Sequence, residues 1–358
     1  MNIPSKKTGF RMPAEWSPHY GTWLSWPTNE ITWPDRLEQV EEVYLDMIEA
    51  LSTGEQVLLL VDDEETQSSV RNRLKKRGVA LEHVTTFVIP TVDGWIRDYG
   101  PNFVQRHSSR GIELAYNHWG FNAWGDKYDD LKADGALPRL LSPLLDIAVF
   151  EPGIVLEGGS IDVNGQGLCL TTRQCLLNEN RNPALSQSDI EAFLECYLGV
   201  ERTIWLGDGI EGDDTDGHVD DIVRFVAPEV IVCAVEYDPT DSNYAPLQAN
   251  LKYLEGLSEA ESLFRVVELP MPDPIYAGSD RLPASYANFL IANNAILMPA
   301  FGQKKDRDAA AVLQEVITDR KVVAIDCRDL IWGMGAVHCL SQQQPQGYSR
   351  LSAPQETR

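Results

Sequence analysis

Apolar positions in this chain recur with two alternating periods, and the alternation marks out the elements. Within 36–53 they fall at Leu37, Val40, Val43, Tyr44, Met47, Ile48 and Leu51, the spacing of one helix face. The short apolar run 56–61 follows and reads as a buried strand. Residues 64–77 predict a second helix ended by Gly78, and 186–198 another, with Ser186 or Ser188 as N-cap and Gly199 as its stop. The last helix is expected over 307–318, with a strand over 322–326 after it. Hairpins recur between these units. Residues 102–104 pair with 113–116 across Ser108-Ser109-Arg110-Gly111, and 160–163 with 167–171 across Asn164-Gly165, a strong turn signal. Two more are expected, 222–226 with 230–235 and 289–292 with 295–298.

Four short motifs stand at regular intervals on this frame. Asp98 lies in Trp95-Ile96-Arg97-Asp98-Tyr99-Gly100-Pro101, and Glu157 in Leu156-Glu157-Gly158-Gly159-Ser160. His218 lies in an acidic loop, and Cys339 in Gly333-Met334-Gly335-Ala336-Val337-His338-Cys339. The intervals between them are 59, 61 and 121 positions. The last is about twice the others, so a further unit should present a residue near 278–288, where 276–288 opens a hairpin. The chain thus reads as about five units of about 60 residues, each a hairpin, a helix and a further strand, bringing one residue each to a common axis. That is an α/β fold of propeller-like form. The competing reading is coincidence, because the units share negligible sequence.

Composition narrows the function. At 358 residues and 43% hydrophobic, the chain can bury a large core. Length alone suggests two or three domains, yet a closed α/β fold of this size can form one. Basic residues number 30 against 54 acidic, a net charge of −24, which argues against nucleic acid or an anionic membrane as a partner. The balance suits a small cationic substrate, although most acidic side chains are ordinarily solvated surface. The stretch 1–12 lacks the apolar segment of a signal peptide, and no run of about 18 apolar residues offers a transmembrane helix. Six cysteines are scattered without a C-x-x-C pair. A cytoplasmic protein with reduced thiols is expected.

Cys339 differs from the other cysteines, which read as small hydrophobes, three of them (Cys169, Cys175, Cys233) within apolar strand patterns. Glycines precede it, and Gln342 to Gln344 follow, a polar run poorly suited to continue a core strand. It is the candidate nucleophile. The loop 208–221 fails as an EF-hand, since position three from Asp208 is Ile210. It also lacks a second histidine or cysteine at the spacing of a zinc site. His218 in a strand, with Asp220 two residues on, would place both on one face; a satisfied surface Asp–His pair is the alternative. Asp98 beside Arg97 is open to reading as a structural ion pair, but it sits in a rigid aromatic setting. Glu157 ends an apolar run at a Gly-Gly bend, where a charge is expected to be paired or functional. Carboxylates, a cysteine and a histidine together suit a planar guanidinium, which carboxylates bind through its fork of N–H donors. Thiolate attack on its central carbon gives a neutral intermediate. A histidine can then protonate the departing nitrogen as ammonia and activate water against the thiouronium adduct.

These residues resemble the agmatine deiminase family of the guanidine-modifying (pentein) superfamily, over nearly the whole chain. The resemblance rests on Met12-Pro13-Ala14-Glu15-Trp16, Thr22-Trp23-Leu24-Ser25-Trp26-Pro27, the Trp-Ile-Arg-Asp motif, and the segments 117–124 and 156–164. It continues through Asn180-Arg181-Asn182-Pro183, 213–220 and the cysteine motif with Gln342 to Pro345. It implies a single-domain, five-bladed α/β propeller that hydrolyses agmatine to N-carbamoylputrescine and ammonia, with no cofactor and no metal. It implies Cys339 as nucleophile, His218 as general acid and base, and Glu157 holding the histidine and the guanidinium. Asp98 and Asp220 are implied as guanidinium ligands. The implied partner is a small cationic guanidino compound, and a homodimer is open to the chain. Met334 and Ala336 depart from the Gly and Asn that many members carry. Bacterial peptidylarginine deiminases are similar in motif. Surplus acid at Asp213 and Asp214, with no spare base beyond Arg97 and Arg181, favours agmatine over arginine. Asp214 is therefore also a candidate substrate ligand. Trp95, Trp119 and Trp124 either line a channel for the aliphatic chain or simply pack. A non-catalytic binding module and a metal-dependent hydrolase are the readings from other classes.

Overall fold

The computed structural model describes residues 9–109, 111–349 and 351. Residues 1–8 of the N-terminal stretch read above, and Arg110 of the first expected turn, lie outside the described residues.

Among the described residues six sheets form: the two-stranded Tyr276–Ala277 with Asp280–Arg281, and five larger ones that carry the mixed α/β fold, four of them repeating one plan, an antiparallel pair followed by a parallel strand. In the first, Asn102–Ser108 pairs with Gly111–Asn117, which runs parallel to Ala148–Phe150. The second joins Asp162–Val163, Leu168–Thr172 and Arg202–Leu206. The third joins Val223–Ala227, Val230–Val235 and Arg265–Pro270. The fourth joins Leu290–Ile291, Ala295–Ala300 and Lys321–Asp326. The fifth unites the two ends of the chain: Ser341–Pro345 lies antiparallel to His19–Ser25, which runs parallel to Gln56–Val61 and, beyond it, Val84–Val88. Parallel strands buried on both faces read as continuous apolar runs, and Val57 to Val61 is one.

Helices cover these sheets where the pattern placed them. Leu37–Leu51 buries Val40, Val43, Tyr44, Leu45, Met47, Ile48 and Leu51. Each fully buried aliphatic side chain contributes about 1.5–3 kcal/mol. Gln187–Leu198 starts on a capping box in which Ser186 and Asp189 satisfy each other's backbone N–H, and Gly199 ends it in the left-handed region, at φ 68°. Lys305–Val316 and Lys321–Asp326 begin slightly earlier than the pattern predicts.

Three expectations are corrected. The polar run Ser341–Pro345 is a fully buried strand, because its amides meet buried donors: Gln343 accepts from Arg97 Nη1 at 2.6 Å and Gln344 from Trp23 Nε1 at 3.0 Å. The strand expected to begin at Ser160 starts at Asp162, since Gly158–Ser160 turns back on Glu157 through two hydrogen bonds from Ser160. Cys175 lies in the short helix Arg173–Leu176, not in a strand. The helix Tyr244–Glu261 had no clear signal, because Asn250 stands on its buried face, bonded to Gly207 N and Asp208 O. No helix among the described residues is long and apolar enough to cross a membrane.

Candidate active site

Turns, not strands, present the motif side chains. Asp98 lies in the single helical turn Ile96–Tyr99, Gly158–Ser160 is one 3-10 turn, and Val219–Asp221 is another. The strand expected for His218 and Asp220 is therefore absent. Its cause is Asp213, whose carboxylate accepts the backbone N–H of Thr215 at 2.8 Å, Gly217 at 2.9 Å and His218 at 3.0 Å and winds the loop. Asp213 is thus spent on backbone.

The three side chains converge on Gly159, whose N–H donates to Asp98 Oδ1 at 2.9 Å. A methyl group there would sit 2.5 Å from His218 Nδ1 and 3.0 Å from both Asp220 Oδ2 and Asp98 Oδ1. Only glycine lets them approach so closely. His218 Nδ1 lies 3.9 Å from Asp98 Oδ2, and Cys339 Sγ lies 4.0 Å from Asp220 Oδ2. The Trp124 indole donates to Asp98 Oδ2 at 2.9 Å. Trp124 and its neighbour Ala123 are held in the left-handed region, both at φ 54°, strain of a kind concentrated at functional sites. Glu157 is fully buried, with Oε1 accepting from Arg181 Nε at 2.6 Å and Oε2 without a hydrogen-bond partner.

Cys339 and Asp98 line a cavity of about 260 Å³ with Trp95, Trp124, Tyr128 and Met334. Four aspartates line it (Asp93, Asp98, Asp130 and Asp214), and among the described lining residues there is no lysine or arginine. Asp214 accepts from the Tyr128 hydroxyl at 2.6 Å. Trp95 packs at a tilt against Trp33, with ring centres 5.2 Å apart. Trp119 does not belong to this wall; its indole donates to Asn102 and packs on Tyr197. His218, Asp220 and Glu157 lie one layer deeper. The two candidate bases face away: Arg181 grips Glu157 and Asp216, and Arg97 grips Gln343. Met334 is left-handed at φ 71°, a conformation that glycine adopts more readily.

Charge is distributed unevenly. Burial pushes the Cys339 thiol well above its ordinary value, and the carboxylates of Asp220, Asp221 and Asp98 add to the effect. Burial lowers the His218 imidazole, but Asp98, with Cys175 and Asp220, outweighs it and leaves the ring well above its usual range. Burial raises Asp98. Asp220 is also raised by burial, but the hydrogen bond and charge of His338 prevail and hold it low.

Two side chains at the site carried no signal of their own. Asn288 Nδ2 lies 3.1 Å from Cys339 Sγ and 3.0 Å from Asp221 Oδ1, and Asn288 Oδ1 accepts the His338 N–H at 3.0 Å. The interval between motifs pointed to its segment, but an amide does not titrate and nothing singled it out. His338 lies between Asp220 and Glu15. For a metal, one trio among the described residues brings donors within 4.8 Å of one another: Glu157, Cys175 and His218. The Arg181 guanidinium beside Glu157 already supplies positive charge there. A larger cavity of about 620 Å³, lined by His19, Glu55, His83 and Asn293 among others, contains no motif residue.

The model of the Porphyromonas-type peptidyl-arginine deiminase family matches residues 11–345. An agmatine deiminase of Pseudomonas aeruginosa (strain LESB58) is 37% identical over 363 residues, covering 94% of this chain and 96% of that protein. One from Ectopseudomonas mendocina (strain ymp) is 36% identical over 360 residues, covering 94% and 96%. Among solved structures, the agmatine deiminase of Enterococcus faecalis superposes with a TM-score of 0.88 at 31% identity, covering 97% of this chain and 98% of that one. A variant of the C. jejuni agmatine deiminase with substrate bound gives 0.84 at 32%, covering 94% and 97%. With the family model matched over most of its length and relatives above one third identity aligned almost throughout, this chain belongs to the Porphyromonas-type peptidyl-arginine deiminase family, whose matched members are hydrolases of C–N bonds.

Proposed function

We propose that this chain is an agmatine deiminase, converting agmatine and water to N-carbamoylputrescine and ammonia. The cavity wall carries the reading. It ends on a cysteine, bears four aspartates and offers no lysine or arginine among its described lining residues. A dication such as agmatine suits that wall, whereas the α-carboxylate of arginine would face carboxylates without a cation to meet it. The relatives named above support the same substrate.

Asp98 and Asp220 bind the guanidinium, Trp95 and Trp124 flank the aliphatic chain, and Asp214 is a ligand on the wall. The bound cation lowers the thiol of Cys339, whose proton passes to solvent. Its thiolate attacks the guanidinium carbon, and the C–S bond forms as the substrate's charge is neutralised. His218, protonated beside Asp98, gives its proton to the departing nitrogen; the C–N bond breaks and ammonia leaves a thiouronium adduct. His218, now neutral, takes a proton from the water that adds to the same carbon. The C–S bond then breaks, the remaining hydroxyl proton returns to the sulfur, and the urea product leaves. Glu157, fixed by Arg181, orients the histidine. The four sheets of one plan, and the fifth that joins the chain's ends, support a single-domain, five-bladed α/β propeller.

Ammonia release with agmatine and L-arginine in parallel, in EDTA and with Cys339→Ala as blank, tests this. Turnover of agmatine alone upholds it. Turnover of arginine, or of a peptide ending in arginine, without agmatine turnover, would move the substrate and keep the chemistry.

A further inference from the structure

The motif around Glu15 has no role in the reaction above, yet Glu15 ends at the site. His338 Nδ1 lies 2.6 Å from Asp220 Oδ2, and His338 Nε2 lies 2.8 Å from Glu15 Oε2. Glu15 Oε2 in turn accepts from Arg224 Nη2 at 2.7 Å, and Arg224 Nε donates to Asp162 Oδ2 at 2.5 Å. All five side chains are buried. Besides His338, the charged groups acting on the two carboxylates are Arg224 on both, Arg97 on Glu15 and His218 on Asp220.

A carboxylate only accepts hydrogen bonds, so a ring between two carboxylate oxygens must donate from both nitrogens. The Asp220 carboxylate is thereby anchored through Oδ2 alone, and its Oδ1 is buried without a hydrogen-bond partner. That oxygen is left unspent by the contacts within the chain. His338 is pinned as well along its backbone: its N–H goes to Asn288 Oδ1 at 3.0 Å and its carbonyl accepts from Arg97 Nε at 3.3 Å. The next residue is Cys339, so the same pins set the nucleophile.

We propose that His338 is a positioning residue that donates both ring N–H groups, to Asp220 and to Glu15, and so holds the Asp220 carboxylate ionised and aimed at the bound guanidinium. Glu15 acts through it. This rests on the reading of Asp220 as a guanidinium ligand. It gives the segment around Glu15 a task at the far end of the chain, which a purely structural ion network would not require.

The test compares two reagents of one shape, chloroacetamidine, a cation, and chloroacetamide, which is neutral. In both, Cys339 Sγ bonds to the CH2 carbon and chloride leaves. The wild type should prefer the cation. His338→Gln should slow the cationic reagent by about 10-fold or more, as for loss of a charged hydrogen bond, and the neutral one by less than about 3-fold. KM for agmatine should rise more than kcat falls. Glu15→Asp retracts its carboxylate from Nε2 while keeping a charge for Arg224; it should lower the preference in the wild-type background and have no further effect on His338→Gln. Equal slowing of both reagents in either variant would overturn the proposal, and Glu15→Asp serves if His338→Gln does not fold. Neither reagent requires agmatine turnover, so a wild type that prefers the cation yet leaves agmatine untouched would move the substrate and leave His338 in its role. A wild type without the preference would remove Asp220 as a cation ligand, and this inference with it.

Discussion

Gly159→Ala is the sharpest perturbation of the proposed chemistry, because it adds one carbon and removes no functional group. Gly159 is not left-handed, so alanine meets no backbone strain there. What it meets is the site: its Cβ would lie 2.5 Å from His218 Nδ1, against roughly 3.5 Å for ordinary contact. The imidazole must retreat by about 1 Å, and a displacement of that size in a reacting group costs about 100-fold in rate. That corresponds to about 2.7 kcal/mol of barrier. Overpacking adds a stability cost of about 1–3 kcal/mol. Ammonia release at saturating agmatine, with thermal melting beside it, separates the two effects. A folded variant with kcat within about threefold of wild type would refute the placement of His218 against its carboxylates. Gly158→Ala is the contrast. Its Cβ would lie 2.2 Å from the Arg97 carbonyl oxygen, a backbone atom that no rotamer change can move, so failure to fold is expected.

Four further outcomes are expected. Cys339→Ala should abolish turnover and retain agmatine binding by calorimetry; loss of binding as well would contradict its role as nucleophile. Trp124→Phe removes the 2.9 Å hydrogen bond to Asp98 and should raise KM for agmatine by about 5- to 10-fold, with a smaller change in kcat. Burial pushes the Asp93 carboxyl up to about 6, so it ionises as pH rises through that value. KM for the dication should accordingly climb as pH falls through about 6, and Asp93→Asn should flatten that limb at the higher KM. Asp220→Asn should slow chloroacetamidine and speed chloroacetamide, because the carboxylate that attracts the cation also raises the thiol; two reagents moving in the same direction would sink that assignment.

What was legible in the sequence was local. Leu37–Leu51 announces itself through apolar spacing, and Gln187–Leu198 through a serine cap and a glycine stop as well, all within one element. The regular interval between motifs is also local information, repeated, and it pointed to the segment where Asn288 meets Cys339. What failed depends on partners far along the chain. Gln343 and Gln344 look like surface until Arg97 and Trp23 arrive to satisfy them. Asn250 breaks an apolar face because its amide holds a neighbouring loop. The strand expected at His218 lost to Asp213, whose three backbone contacts outweigh the pull of alternation. His338 meets Glu15 across almost the full length of the chain, and no pattern within either segment encodes that meeting.

The electrostatics of the site explain why a guanidinium, and not merely any carbonyl-like carbon, fits this cysteine. By themselves, burial and the carboxylates of Asp220, Asp221 and Asp98 oppose ionisation of Cys339, the proposed nucleophile. The same carboxylates are what a planar cation requires. A guanidinium placed between Asp98 and Asp220 offsets their charge and sets its own beside Sγ, reversing the sign of the field that the thiol feels. Activation and recognition are then one event: a neutral amide would gain neither the carboxylate contacts nor a thiolate to attack it. Attack discharges thiolate and cation together, so the adduct needs no oxyanion hole. Near Sγ stand the Asn288 amide, at 3.1 Å, and an acceptor, Asp220 Oδ2, at 4.0 Å. On the proposed mechanism, the carboxylates around Cys339 take part in the chemical step as well as in binding. For that reason Asp220→Asn is expected to move the two alkylating reagents in opposite directions.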